Sequence, residues 1–97
     1  METYYKLDNE GNPIRAKDRY DFARWAVDHH RNEMTQCFGK HGMPVDIITS
    51  FNYSKGFFQT FKLEGLSKTD LETSNTKEES IAVHSQYVSM INSENEN

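Results

Sequence analysis

The stretch Val45-Asp46-Ile47-Ile48-Thr49-Ser50-Phe51 is the most β-prone run of the chain and constrains its fold more than any other feature. Pro44 opens it, and the turn residues Asn52-Tyr53-Ser54-Lys55-Gly56 close it. Phe57-Phe58-Gln59-Thr60-Phe61-Lys62-Leu63 follows at once as a further strand. Upstream, Met34 to Phe38 reads as a strand joined through Gly39-Lys40-His41-Gly42, a hairpin-like connection. Three strands with short links make an antiparallel meander. In the last of them Phe57, Gln59, Phe61 and Leu63 point one way, and Phe58, Thr60 and Lys62 the other.

The flanks add two helices. Thr3-Tyr4-Tyr5-Lys6-Leu7 alternates and reads as a strand, Asp8 to Pro13 is dense turn chemistry, and Ile14-Arg15 can pair back briefly. Asp18 is a good N-cap for a helix from Arg19 to His30. Phe22, Ala23, Trp25, Ala26 and His29 share its broad apolar face, with His30 at the border. Asp21, Arg24, Asp28 and Arg31 lie opposite, spaced to pair for about 0.2–0.5 kcal/mol each. Glu64 to Asn75 reads as a polar loop. Thr76 and Glu79 then have the capping-box spacing, opening a helix from Lys77 to about Ile91. Its apolar stripe is Val83, Tyr87, Met90 and Ile91, with His84 and Val88 on the flank. The expected fold is α+β: a small antiparallel sheet in the order β-α-β-β-β-α, with both helices on one face. Residues 1–91 form a single domain. Residues 92–97 carry no apolar group and are expected to be a disordered tail.

Composition narrows the function. Ninety-seven residues make one domain, and 35% hydrophobic with 12% aromatic residues means that a few large side chains build the core. There is no run of 18 apolar residues and no basic-then-apolar start, so neither a transmembrane helix nor a signal peptide is expected. One cysteine forms no internal disulfide, which fits a cytoplasmic location. A net charge of -4 argues against binding nucleic acid by phosphate neutralisation. The acid is localised: residues 64–97 hold seven acidic groups against Lys68 and Lys77, whereas residues 14–63 are mildly basic.

Candidate chemistry starts with His29, His30, Cys37 and His41. A zinc site needs three or four converging N/S ligands. Adjacent histidines on a helix diverge, and no second CxxC or HxxxH spacing is present, so no metal is expected. Cys37 with a histidine lacks any marked oxyanion hole or orienting acid, so no thiol enzyme is expected, and no pattern asks for a cofactor. His84 is expected to pack with one nitrogen hydrogen-bonded. Tyr4, Tyr5, Phe57, Phe58 and Phe61 could stack bases, but the surround is not basic, and core packing accounts for them better. Any left on an uncovered sheet face would make a protein interface. The localised carboxylates have a sharper reading, since spaced acids can imitate phosphates and occupy a basic DNA channel.

Thr3-Tyr4-Tyr5-Lys6-Leu7-Asp8-Asn9-Glu10-Gly11-Asn12-Pro13-Ile14 carries a Y-x-L-D-x-x-G-x-P pattern. With Trp25-Ala26, Phe58-Gln59-Thr60, Glu78-Glu79 and Ala82-Val83-His84, it resembles a family of small phage and prophage proteins, over a span reaching about Ile91. The chain departs from that family at Phe51-Asn52, where an acidic-His pair is common. The resemblance implies a mobile-element origin. With the size and acidity, it is similar to an anti-CRISPR protein acting on a type I surveillance complex. Such an inhibitor is not an enzyme and works stoichiometrically, by masking the basic surface that receives DNA. The expected partner-binding residues are Asp21, Asp28, Glu64, Asp70, Glu72, Glu78 and Glu79. The alternative is a phage accessory or virion-associated protein that binds a partner through an aromatic sheet face.

Overall fold

The computed structural model describes residues 3–29 and 32–95. The chain runs β1 (Tyr5–Leu7), β2 (Pro13–Arg15), α1 (Arg19–His29), β3 (Glu33–Phe38), β4 (Pro44–Asn52), β5 (Phe57–Glu64), β6 (Ser67–Ser74) and α2 (Lys77–Asn95). It is an α+β fold with two antiparallel sheets, the hairpin β1-β2 and the four-stranded β3-β4-β5-β6. The expected meander is its centre: Met34 faces Ile48, and Ile48 faces Phe61.

α2 packs across one face of the large sheet. Cys37, Val45, Ile47 and Ile91 form the innermost cluster, with Leu71, Tyr87 and Val88 against it. Ile47 is fully buried, worth about 1.5–3 kcal/mol of hydrophobic stabilisation. α1 meets the same face through Trp25, whose ring stands edge-on to Phe51 at 5.9 Å. From there a line of rings runs outward: Trp25 to Phe22 at 6.1 Å, Phe22 to Tyr4 at 5.1 Å, and Phe22 to Tyr53 at 5.0 Å. This ladder and the Tyr5 N–H to Tyr53 carbonyl bond of 2.8 Å seat the hairpin and α1 at one end of the sheet. Both helices therefore serve one face of the sheet, and no element covers the other among the described residues.

The expected 64–75 loop is instead β6. Ser67–Ser74 pairs with β5 along its length, with an irregularity between Thr60 and Phe61 that leaves Leu71 unpaired. β6 lacks apolar alternation because it is an edge strand, whose stability comes from ladder hydrogen bonds and little burial. Its charged side chains also discourage pairing with other chains. β2 likewise forms, from the brief pairing expected at Ile14-Arg15.

α2 continues to Asn95, so residues 92–95 are helical where a tail was expected. Asn92 explains part of this. Its Oδ1 accepts the Phe38 N–H at 3.3 Å, tying the last turns of α2 to the edge of β3. Glu96 and Asn97 lie outside the described residues, as does His30, the expected end of α1. The buried stripe of α2 is also rotated from expectation. Ser80 and Ile91 are buried, Met90 is half exposed, and His84 sits at the centre of the contact.

Candidate functional site

Three arrangements compete as the functional site. The first is a cavity of about 510 Å³ between α2, the sheet, the hairpin and α1. Leu7, Trp25, Phe51 and Phe58 give it apolar walls, while Thr35, Thr49 and His84 give it a polar floor. The hairpin turn fixes its position. Asp8 Oδ1 accepts the N–H groups of Glu10 and Asn12, both at 2.9 Å, and Asn12 Oδ1 in turn accepts the Lys77 N–H at 3.1 Å, capping α2. Thr76 Oγ1 accepts the Glu79 N–H and Glu79 Oε2 accepts the Asn75 N–H, a capping arrangement at the same helix end.

Both ring nitrogens of His84 are engaged, where a single hydrogen bond was expected. Nε2 lies 2.8 Å from Thr35 Oγ1, Nδ1 lies 2.9 Å from Thr49 Oγ1, and Thr49 Oγ1 lies 2.8 Å from Thr60 Oγ1. The proton order follows from burial. Thr60 is 1% exposed, and Thr49 is the one partner of its hydroxyl among the described residues. Thr60 therefore donates to Thr49, because an unspent buried hydroxyl costs about 1–3 kcal/mol. Thr49 spends its own proton on Nδ1, so the ring is neutral and Nε2–H donates to Thr35. The Thr35 proton is left over, on a half-buried residue that lines the cavity. Burial pushes the His84 pKa below the usual imidazole value, with Glu33 pulling weakly the other way. Nothing in the sequence joins Thr35, Thr49, Thr60 and His84. They come from four elements and meet only through strand register and helix rotation.

Cys37 is 1% exposed. Burial, with Asp46 nearby, raises its pKa and keeps the thiol protonated, which is the opposite of what a nucleophile needs. His41 lies exposed in the β3–β4 connection at φ 61°. No group of three His, Cys, Asp or Glu residues among those described is placed to hold a metal ion.

The second arrangement is the set of seven carboxylates, and they do not share one surface. Asp21 is bound by Lys6 Nζ at 2.7 Å and by the Lys17 N–H at 2.9 Å, so it joins β1 to α1. These contacts hold its pKa below the usual carboxylate value. Glu64 pairs with Lys62 at 2.8 Å. Asp70 and Glu72 fall on opposite faces of β6: Asp70 lies opposite Phe61 on the open side, and Glu72 accepts the Tyr87 hydroxyl of α2 at 3.0 Å. Glu79 caps α2, and Glu78 is exposed beside it. Asp28 lies on α1, and its side chain is outside the described residues.

The third arrangement is the open face of the sheet. Strand alternation and register put Met34, Ile48 and Phe61 in one cross-strand row, with Asp46 and Leu63 in the next. Met34 is 67% exposed and Phe38 is 49% exposed. Lys68 Nζ sits 4.6 Å above the Phe61 ring and 3.8 Å from Asp70. Asp46 has no ion-pair partner among the described residues. Core packing was expected for Tyr4, Tyr5, Phe57, Phe58 and Phe61, with any left on an uncovered face making an interface. Of these, Phe57 and Phe61 are on the open face, while Tyr4 and Phe58 are in the ring ladder behind.

No helix among the described residues is long and apolar enough to cross a membrane. Compared with known proteins, the chain matches no family model, no curated protein and no solved structure.

Proposed function

We propose that this chain is a stoichiometric protein-binding module that catalyses no reaction, with the uncovered sheet face as its contact surface. The observation that carries this reading is the one-sided sheet. Both helices sit on one face, and the other presents Met34, Phe61 and Leu63 around Ile48, beside the unpaired Asp46. The chain exposes 7089 Å², against about 5,700 Å² for a compact monomer of its mass. The surplus goes with an elongated shape of 50 × 26 × 21 Å. The radius of gyration of 15.2 Å likewise exceeds the about 12.5 Å of a compact chain this long.

The occupant this face fits is a protein surface with Arg or Lys set among apolar side chains, since Asp46 lies beside the apolar row without an ion-pair partner among the described residues, whereas Asp70 is already met by Lys68 at 3.8 Å. Proteins that hold nucleic acid carry basic surfaces of this kind. This agrees with the resemblance of Tyr5–Pro13 and Trp25-Ala26 to phage proteins. The reading therefore includes a phage or prophage origin, action in the bacterial cytoplasm, and a type I CRISPR surveillance complex as the target whose DNA binding is blocked.

The test is inhibition of target-DNA binding by a purified type I surveillance complex. Stoichiometric inhibition that is lost in Asp46→Arg and Met34→Asp, and kept in Glu78→Lys/Glu79→Lys, supports the sheet face. The reverse pattern would return the contact to the acidic residues as phosphate mimics. Binding to virion components and not to the complex would favour the accessory-protein reading.

A further inference from the structure

The cavity beneath α2 plays no part in the proposed protein contact, because it opens on the opposite side of the sheet. We propose that it is a second site, which takes a free mononucleotide. Its volume of about 510 Å³ falls within the roughly 300–1,000 Å³ of small-molecule pockets. Leu7, Trp25, Phe51, Phe58 and Ile81 give it apolar walls beside a larger set of polar side chains, a mixture that supplies both affinity and orientation.

Two of those polar groups are adjacent. Glu33 and Thr35 lie on the same face of β3, two residues apart, and both line the cavity. The Glu33 carboxylate accepts hydrogen bonds. The Thr35 hydroxyl has a proton to give, because its oxygen receives the Nε2–H of a neutral His84. An acceptor and a donor about 6.6 Å apart along the strand can take an N–H and a ring nitrogen or carbonyl of one flat heterocycle, as nucleobases carry. The rings of Trp25, Phe51 and Phe58, packed on one another, line the adjoining wall and give a flat base an apolar surface to lie against.

Lys77 marks the other end. It lies seven residues before His84 on α2, about 10 Å along the helix axis. Its ammonium has no ion-pair partner among the described residues, and its side chain borders the cavity beside Gly11. A base at Glu33 and Thr35 places a sugar phosphate near Lys77. The rigid floor is ready for this, since the His84–Thr49–Thr60 chain already holds the polar side chains in place.

Trp25 is the only tryptophan of the chain, so its fluorescence reports directly on the cavity. The test titrates AMP, GMP, CMP and UMP, and adenosine beside them, against the whole chain, followed by Trp25 emission and by calorimetry. Saturable binding of at least one nucleotide at 1:1 stoichiometry is expected. Glu33→Gln, an exposed change that leaves the thermal midpoint in place, should weaken it about tenfold. Lys77→Met should weaken the nucleotide and leave the nucleoside unaffected. Phe61→Ala, on the open face, should change neither. No saturable response from any of the four nucleotides up to about 5 mM would overturn the proposal. So would binding that Glu33→Gln and Lys77→Met leave unchanged.

Discussion

His84 of α2 and Thr49 of β4 are joined by a 2.9 Å hydrogen bond that places a titratable ring at the centre of the helix–sheet contact. Thr49 donates, an arrangement that holds only while Nδ1 is unprotonated. Protonating His84 would turn Nδ1 into a donor, force Thr49 to turn its proton towards Thr60, and leave the buried Thr60 hydroxyl without an acceptor among the described residues. Proton order and burial therefore favour the same neutral ring.

This gives stability a pH dependence of known sign. The folded-state pKa of His84 lies below the ordinary imidazole value of 6.5. The unfolded chain thus binds the extra proton first as pH falls, and stability is greatest above the unfolded value. It declines as pH drops from about 6.5 towards the folded pKa. The thermal midpoint should fall between pH 7.5 and pH 5, and His84→Gln should flatten that part of the profile. Asp21, whose pKa is lowered by Lys6 and Lys17, also loses stabilisation on acidification, but only below the ordinary aspartate value of 3.8. The two effects separate along the pH axis.

Thr49 and Thr60 should differ in cost although both are buried threonines. Thr60→Val removes one donor and leaves Thr49 still bonded to His84, a loss of about 1 kcal/mol. Thr49→Val strips Nδ1 of its donor and Thr60 of its acceptor, a loss of about 2–3 kcal/mol. Urea denaturation of the two variants distinguishes them, and equal losses would contradict the central place of Thr49 between Thr60 and His84.

Ser74 should behave in the opposite way. It is 3% exposed, and its Oγ has no hydrogen-bond partner among the described residues. Ser74→Ala deletes a polar atom that is already unsatisfied, so stability should hold or rise by up to about 1 kcal/mol. A measured loss beyond that range would mean that the hydroxyl has a partner.

Gly56 has a backbone requirement. Its φ is +78°, and a Cβ there would stand 2.8 Å from the Tyr5 ring. Gly56→Ala therefore meets both left-handed strain and a ring that the Tyr5–Tyr53 bond holds in place. The expected loss exceeds about 1 kcal/mol, read as a lower midpoint in urea. His41 shows the converse, a non-glycine residue at φ 61° in an exposed turn.

The meander, both helices and their caps were legible in the sequence, because each rests on local signals. Val45–Phe51 is strongly β-prone, Asn52–Gly56 turns, and Thr76 with Glu79 marks the start of α2. β6 was not legible. An edge strand buries too little to leave an apolar pattern, so Ser67–Ser74 reads as a polar loop. The candidate sites were legible only in part. Strand periodicity separated Phe57, Gln59, Phe61 and Leu63 from Phe58, Thr60 and Lys62, but it could not say which set the helices would cover.

The tertiary structure decided that question against the hydrophobic count. Thr60 faces α2, while Phe61 and Leu63 face outward, because His84 offers buried hydroxyls a partner that an apolar helix face would not. Likewise, composition fixed an acidic last third, but register and helix rotation divided those carboxylates among local pairs, caps and two sides of one strand. Sequence determines which residues share a face of an element. Only packing determines what that face meets, since the partners of Thr35, Thr49, Thr60 and Asp46 depend on neighbours distant in the chain.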